Sequence, residues 1–119
     1  MINKLAAEIY ENAKSKGLYE GNKTMGELLC KIHSEVSEAF EADNDARHCD
    51  LTEKEMYYND TAIFNHYYRV HIKGTVEEEM ADIIITALSI SAFKGIDIES
   101  HIKAKMRYNL TRPYGHIKE

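Results

Sequence analysis

A chain of 119 residues with a formal charge of -5, one proline, six glycines and two cysteines outside any C-x-x-C spacing excludes several classes at once. Its acidic balance argues against non-specific nucleic-acid binding, which needs an excess of Lys and Arg. Two cysteines make no disulfide framework, and the longest apolar-rich run, Ile83 to Phe93, is too short to span a bilayer. What remains is an all-α chain forming one domain over 1–119, expected to be cytoplasmic because its start lacks a signal-peptide profile.

The first predicted helix runs from Ile2 to Lys16, with Ile2, Leu5, Ala6, Ile9, Tyr10 and Ala13 recurring on one face and Gly17 ending it. Leu18 to Lys23 reads as a turn, in which Tyr19 is expected to pack more readily than to line a ligand cleft. Thr24 with Glu27 forms a capping box that opens a second helix, reaching to about Ala46. On a wheel of 100° per residue, Met25, Leu28, Leu29, Ile32, Val36, Ala39 and Phe40 share a stripe roughly 120° wide, which is the expected core face. Glu35 lies at the edge of that stripe and Glu38 about 60° further round, while Glu41 points to solvent.

Asp43 to Asp50 reads as a loop, and Thr52 with Glu55 as the start of a short helix. A further helical stretch, about Asp60 to Lys73, carries Ile63, Phe64, Tyr67, Val70 and His71. Thr75 with Glu78 is a third capping box, and the helix that follows is the most apolar of the chain, running from Val76 through Met80, Ile83, Ile84, Ile85, Leu88 and Ile90 to Phe93. Such a helix is expected to be central and covered on more than one side, which implies a homo-oligomer. One polar strip crosses it: Glu79, Asp82, Thr86 and Ser89 fall within roughly 80°. Gly95 ends it, Asp97 caps a last helix from Ile98 to about Asn109 with Ile98, Ile102 and Met106 inward, and the tail 114–119 is expected to be mobile.

The chemistry resides in two carboxylate pairs, Glu35 with Glu38 and Glu79 with Asp82, each three residues apart and so projecting from one side of its helix. A single pair of this kind is usually a solvated face. Here one pair borders an apolar stripe and the other interrupts an apolar helix, where charge is expensive unless paired. Four carboxylates without Cys or His suit Mg²⁺, with Mn²⁺ as substitute, and not Zn²⁺. A di-iron bundle would want Glu-x-x-His, and no Glu here has His three residues later. His33 points to another side of its helix and reads as a packed or hydrogen-bonded residue. The one basic cluster, Lys103, Lys105, Arg107 and Arg112, lies at the other end of the chain.

Lys31 to Ala39 (KIHSEVSEA), Val76 to Ile84 (VEEEMADII) and Lys103 to Pro113 (KAKMRYNLTRP) together resemble the MazG-like branch of the all-α nucleoside triphosphate pyrophosphohydrolases, over roughly Leu28 to His116. The resemblance implies a bundle of about five helices, a homodimer or homotetramer, and Mg²⁺-dependent cleavage of a nucleoside triphosphate between its α and β phosphates in a housecleaning role. It assigns Glu35, Glu38, Glu79 and Asp82 to metal binding and catalysis, and Lys105, Asn109, Arg112 and more weakly Lys103 to the substrate. The separation of the two acidic motifs is longer than in compact members. This insertion, about 43–74, is expected to be an extra packing or subunit-contact element somewhat more readily than a lid or stacking wall built from Tyr57, Tyr58, Phe64, Tyr67 or Tyr68. Two alternatives stay open: a pyrophosphohydrolase of another nucleotide such as phosphoribosyl-ATP, and a non-catalytic helical module that binds metal or nucleotide.

Overall fold

The computed structural model describes residues 1–51 and 59–113. The expected cap at Thr52 and Glu55, the aromatic residues Tyr57 and Tyr58, and the tail 114–119 lie outside the described residues. Among the described residues there are five helices and no strand: α1 (Ile2–Ser15), α2 (Met25–Asn44), α3 (Thr61–Tyr67, continued by a π-helical turn over Tyr68–Ile72), α4 (Val76–Phe93) and α5 (Ile98–Asn109). The chain groups into two compact units, Lys23–Thr86 and a second formed by Met1–Asn22 with the residues from Ala87 on.

The helix boundaries follow local chemistry closely. Thr24 Oγ1 accepts from Glu27 N–H at 3.1 Å, Thr75 Oγ1 from Glu78 N–H at 3.3 Å and Asp97 Oδ1 from Ser100 N–H at 3.1 Å, so each predicted cap satisfies an otherwise orphaned amide. At the end of α1, Gly17 stands at φ +83°; its N–H reaches Lys14 O at 3.0 Å and Leu18 N–H reaches Ala13 O at 3.1 Å, a complete Schellman closure. The second helix stops two residues short of Ala46 by the same device, with Ala46 N–H on Asp43 O and Arg47 N–H on Ala42 O. There the left-handed position is held by an alanine at φ +54°. Since a Cβ is disfavoured in that conformation by about 1 kcal/mol, Ala46→Gly should raise the melting temperature by roughly 3–6 °C; an unchanged or lower value would show that the closure carries no strain.

In the unit Lys23–Thr86 the inward line of α2 is Met25, Leu28, Ile32, Glu35, Ala39 and Ala42, spaced three and four apart, with Leu28 at 2% and Ala42 at 0% exposure. This corrects the expected core stripe. Leu29, Val36 and Phe40 belong to a second, outward line and are 50%, 48% and 67% exposed. Glu35 therefore sits within the inward line and not at its edge.

The largest departure concerns α4. In its first half the polar strip faces the buried side: Glu79 and Thr86 are enclosed and Asp82 is half-buried, while Met80, Ile84 and Ile85 are exposed. The expectation of a helix covered on more than one side holds for its later part, where Leu88, Ser89, Ile90 and Ser91 are all buried, and fails in its first half, where Met80, Ile84 and Ile85 are open. Met106, expected inward on α5, is likewise 63% exposed. In the insertion, Ile63 and Val70 face outward and Ile72, at the end of the π turn, is buried.

In the other unit, α1 packs on α5. Glu99 accepts from the amino group of Met1 and the backbone N–H of Ile2 and Asn3 at 3.0, 2.7 and 3.2 Å, and these donors hold its carboxyl down to about 2. Asn3 donates from Nδ2 to Asp97 and accepts from Glu99 N–H, so the first turn of α1 is sewn to the first turn of α5.

Candidate metal centre

Two helices of the unit Lys23–Thr86 supply the acidic residues, Glu35 and Glu38 from α2 and Glu79 and Asp82 from α4. One carboxylate oxygen from each of Glu35, Glu79 and Asp82 lies within 4.8 Å of the others. Glu38 is exposed at the rim, outside that trio, yet its carboxylate is close enough to act on all three.

Glu79 is the centre of the group. Only 9% of the residue is exposed, and its Oε2 is fully enclosed with no hydrogen-bond partner among the described residues. A buried carboxylate oxygen without a donor is costly, and such groups are rare in folded proteins. Burial first, then the neighbouring carboxylates led by Glu38, push its carboxyl up to about 7. Asp82 and Glu35 are raised as well, again chiefly by burial, then by the acids around them. Among the described residues the basic side chain acting on them is Lys31, whose Nζ stands 3.6 Å from Glu35 one helical turn away. One partly exposed ammonium does not neutralise four acids. The donor set, all oxygen and with one enclosed oxygen lacking a partner, fits a hard divalent cation bound by Glu35, Glu79 and Asp82 with Glu38 alongside.

Two features around the two motifs hold this arrangement. Tyr68, presented by the π turn, donates its hydroxyl to Glu78, which also accepts from Gly74 N–H at 2.8 Å. Burial and that bond push the Tyr68 phenol above its ordinary range, so it stays a donor beside the acids. π turns inside helices recur at functional sites, and this one sets Tyr68 against the first turn of α4. On the other side, the segment after α2 is strapped to α4. Val76 N–H reaches Arg47 O at 2.9 Å, Cys49 N–H reaches Glu77 Oε1 at 2.6 Å, and His48 Nδ1 lies 3.1 Å from Glu77 Oε2. Sequence reasoning missed these roles. Thr75 with Glu78 signalled a capping box, but nothing marked Glu77 as a loop anchor or Tyr68 as the partner of Glu78.

The basic residues belong to the other unit. Lys103 pairs with Glu99 at 3.2 Å and so contributes to the tie between α1 and α5. Lys105 Nζ and the Arg112 guanidinium both lie over the Tyr108 ring, at 5.4 and 5.2 Å from its centroid, which gathers two cations around one aromatic residue. Asn109 is exposed at the last turn of α5.

The chain matches no protein-family model, no curated protein and no solved structure. No helix among the described residues is long and apolar enough to cross a membrane. The geometry of the acids therefore stands as the main structural support for a functional reading.

Proposed function

We propose that the chain is a Mg²⁺-dependent nucleotide pyrophosphohydrolase, with Glu35, Glu79 and Asp82 as the cation ligands and Glu38 as the outer acid of the same cluster. The observation that carries the cation site is the enclosed, partnerless Oε2 of Glu79, on a residue whose carboxylate gathers within 4.8 Å of an oxygen from Glu35 and one from Asp82. The reaction class rests on the resemblance of the three motifs, and the phosphate-binding role of Lys105, Asn109 and Arg112 rests on it too.

When bound, Mg²⁺ supplies neutralisation of the phosphate charge and Lewis acidity toward a phosphoryl oxygen. The chain's own residues do the rest. Glu35, Glu79 and Asp82 fix the cation on two helices that the His48–Glu77 strap and the Tyr68–Glu78 bond hold in place. One carboxylate of the cluster takes the proton of a water that attacks the α phosphorus; the bond from that phosphorus to the bridging oxygen breaks, and pyrophosphate leaves with the oxygen.

Assembly belongs to the same reading. Leu29, Val36 and Phe40 on α2 and Met80, Ile84 and Ile85 on α4 expose apolar surface while Glu79 and Thr86 of α4 are enclosed. A second copy covering these side chains would complete the burial that one chain leaves undone.

Release of pyrophosphate from a panel of ribo- and deoxyribonucleoside triphosphates, with Mg²⁺, with Mn²⁺ and with EDTA, tests the reaction. Metal-dependent pyrophosphate together with the monophosphate is expected, and Arg112→Ala is expected to lower kcat/KM at least ~10-fold where Arg107→Ala changes it little. Orthophosphate as product would mean that a different bond is cut. Cation binding without turnover on any nucleotide would leave a binding module in place of an enzyme.

A further inference from the structure

Tyr10, Lys14, Tyr19, Glu20 and Phe93 line a pocket of about 380 Å³ within the unit of Met1–Asn22 and the residues from Ala87 on. The hydrolytic reading leaves it without a role. Tyr19 and Phe93 stack at 4.3 Å between ring centroids, 23° from parallel, and Tyr10 tilts against both at 5.2 and 5.9 Å. The Tyr19 hydroxyl bonds to Ser89 Oγ at 2.5 Å, and Ser89 is 2% exposed, so the ring is fixed before any guest arrives. All three rings are only half-buried, which leaves aromatic surface open to the pocket.

The charges around these rings select the guest. Lys14 Nζ lies 5.9 Å from the Tyr10 centroid and Lys94 Nζ 5.1 Å from that of Phe93. An organic cation, the usual guest of an aromatic cage, would meet the Lys14 ammonium, a lining group already placed over the Tyr10 wall. An aromatic ring carrying an anion meets the opposite situation: the ring packs on the aromatic surface left open and the anion is drawn to Lys14. Glu20 folds back over Gly17, its carboxylate 3.4 Å from where a Cβ would stand, and offers an acceptor to ring or exocyclic N–H groups. The volume lies at the small end of the range of roughly 300–1,000 Å³ typical of ligand pockets, enough for a base, its sugar and one phosphate.

We propose that this pocket binds a nucleoside monophosphate, the base packed against Tyr10 and Tyr19 beside Phe93 and the phosphate held by Lys14. It requires no cation, so it is tested in EDTA, where failure of the hydrolytic reading has no bearing on the result. Calorimetric titration with AMP is expected to give saturable binding, at least tenfold weaker in Tyr10→Ala and in Lys14→Glu, with ribose 5-phosphate giving no measurable heat. Lys14 is exposed, so its substitution does not threaten the fold. No saturable AMP binding, ribose 5-phosphate binding as tightly as AMP, unchanged affinity in Lys14→Glu, or tighter binding of tetramethylammonium would each overturn the proposal.

Discussion

Asp82→Asn and Glu79→Gln are both expected to abolish Mg²⁺-dependent turnover while helical circular dichroism stays near wild type, and Glu79→Gln should in addition stabilise the cation-free protein. The second effect follows from the enclosed Oε2. Its carboxyl stands at about 7 in the folded chain against 4.5 for an ordinary glutamate, so between those values the folded state holds a proton that the unfolded state has lost. Stability therefore falls as pH rises from about 4.5 and is lowest above about 7, by on the order of 3 kcal/mol. A glutamine carries no charge to desolvate and brings an amide that can donate to the surrounding carboxylates. In EDTA at pH 8 the substitution should raise the melting temperature by roughly 5 °C or more, with a much smaller gain at pH 5. Adding MgCl₂ at a thousand times the dissociation constant should reverse the order, because wild type then gains about 4.1 kcal/mol and Glu79→Gln gains little. Thermal melts at both pH values, with EDTA and with Mg²⁺, decide the matter. A wild type indifferent to both Mg²⁺ and Mn²⁺ would remove the cation, and a Glu79→Gln protein that melts lower in EDTA would make Glu79 a structural acceptor instead.

Capping chemistry made the helix boundaries readable from sequence, since Thr24, Thr75, Asp97 and Gly17 each act within a few residues of themselves. The acidic pairs were readable for a related reason. Three-residue spacing fixes a common side, and a charge set among Ile83, Ile84 and Ile85 needs an explanation whatever the tertiary structure. What stayed hidden was which side of each helix a single chain would enclose. Hydrophobicity alone placed Leu29, Val36 and Phe40 in the core, but α2 turns its Leu28–Glu35–Ala42 line inward and leaves that second apolar line open. The same inversion on α4 encloses Glu79 and exposes Ile84. A wheel cannot distinguish a face buried by the same chain from a face awaiting another. Tyr68 and the His48–Glu77 strap were hidden for a different reason: their partners lie ten or more residues away, and neither has a spacing rule.

The open apolar lines carry the second large expected effect. Phe40→Lys combined with Ile84→Lys should convert an oligomer of the 13.7 kDa chain to a monomer while its helical content is retained. Both residues are more than half exposed in the single chain, 67% and 55%, so neither substitution removes packing that the protomer needs. In a two-fold assembly each position occurs twice. If a large apolar side chain contributes about 1.5–3 kcal/mol on full burial, each substitution removes at least ~3 kcal/mol from association, more than 100-fold in Kd, and the introduced ammonium groups would have to be buried as well. Light scattering across a concentration series measures this directly. A wild type that remains at 13.7 kDa would show that the exposed lines of α2 and α4 are not an interface between copies. A substituted protein that keeps the wild-type mass would place the interface on another face. Loss of assembly with Mg²⁺ binding intact would separate the two halves of the reading, because Glu35 and Glu79 face inward on the same two helices whose outer lines the substitutions alter.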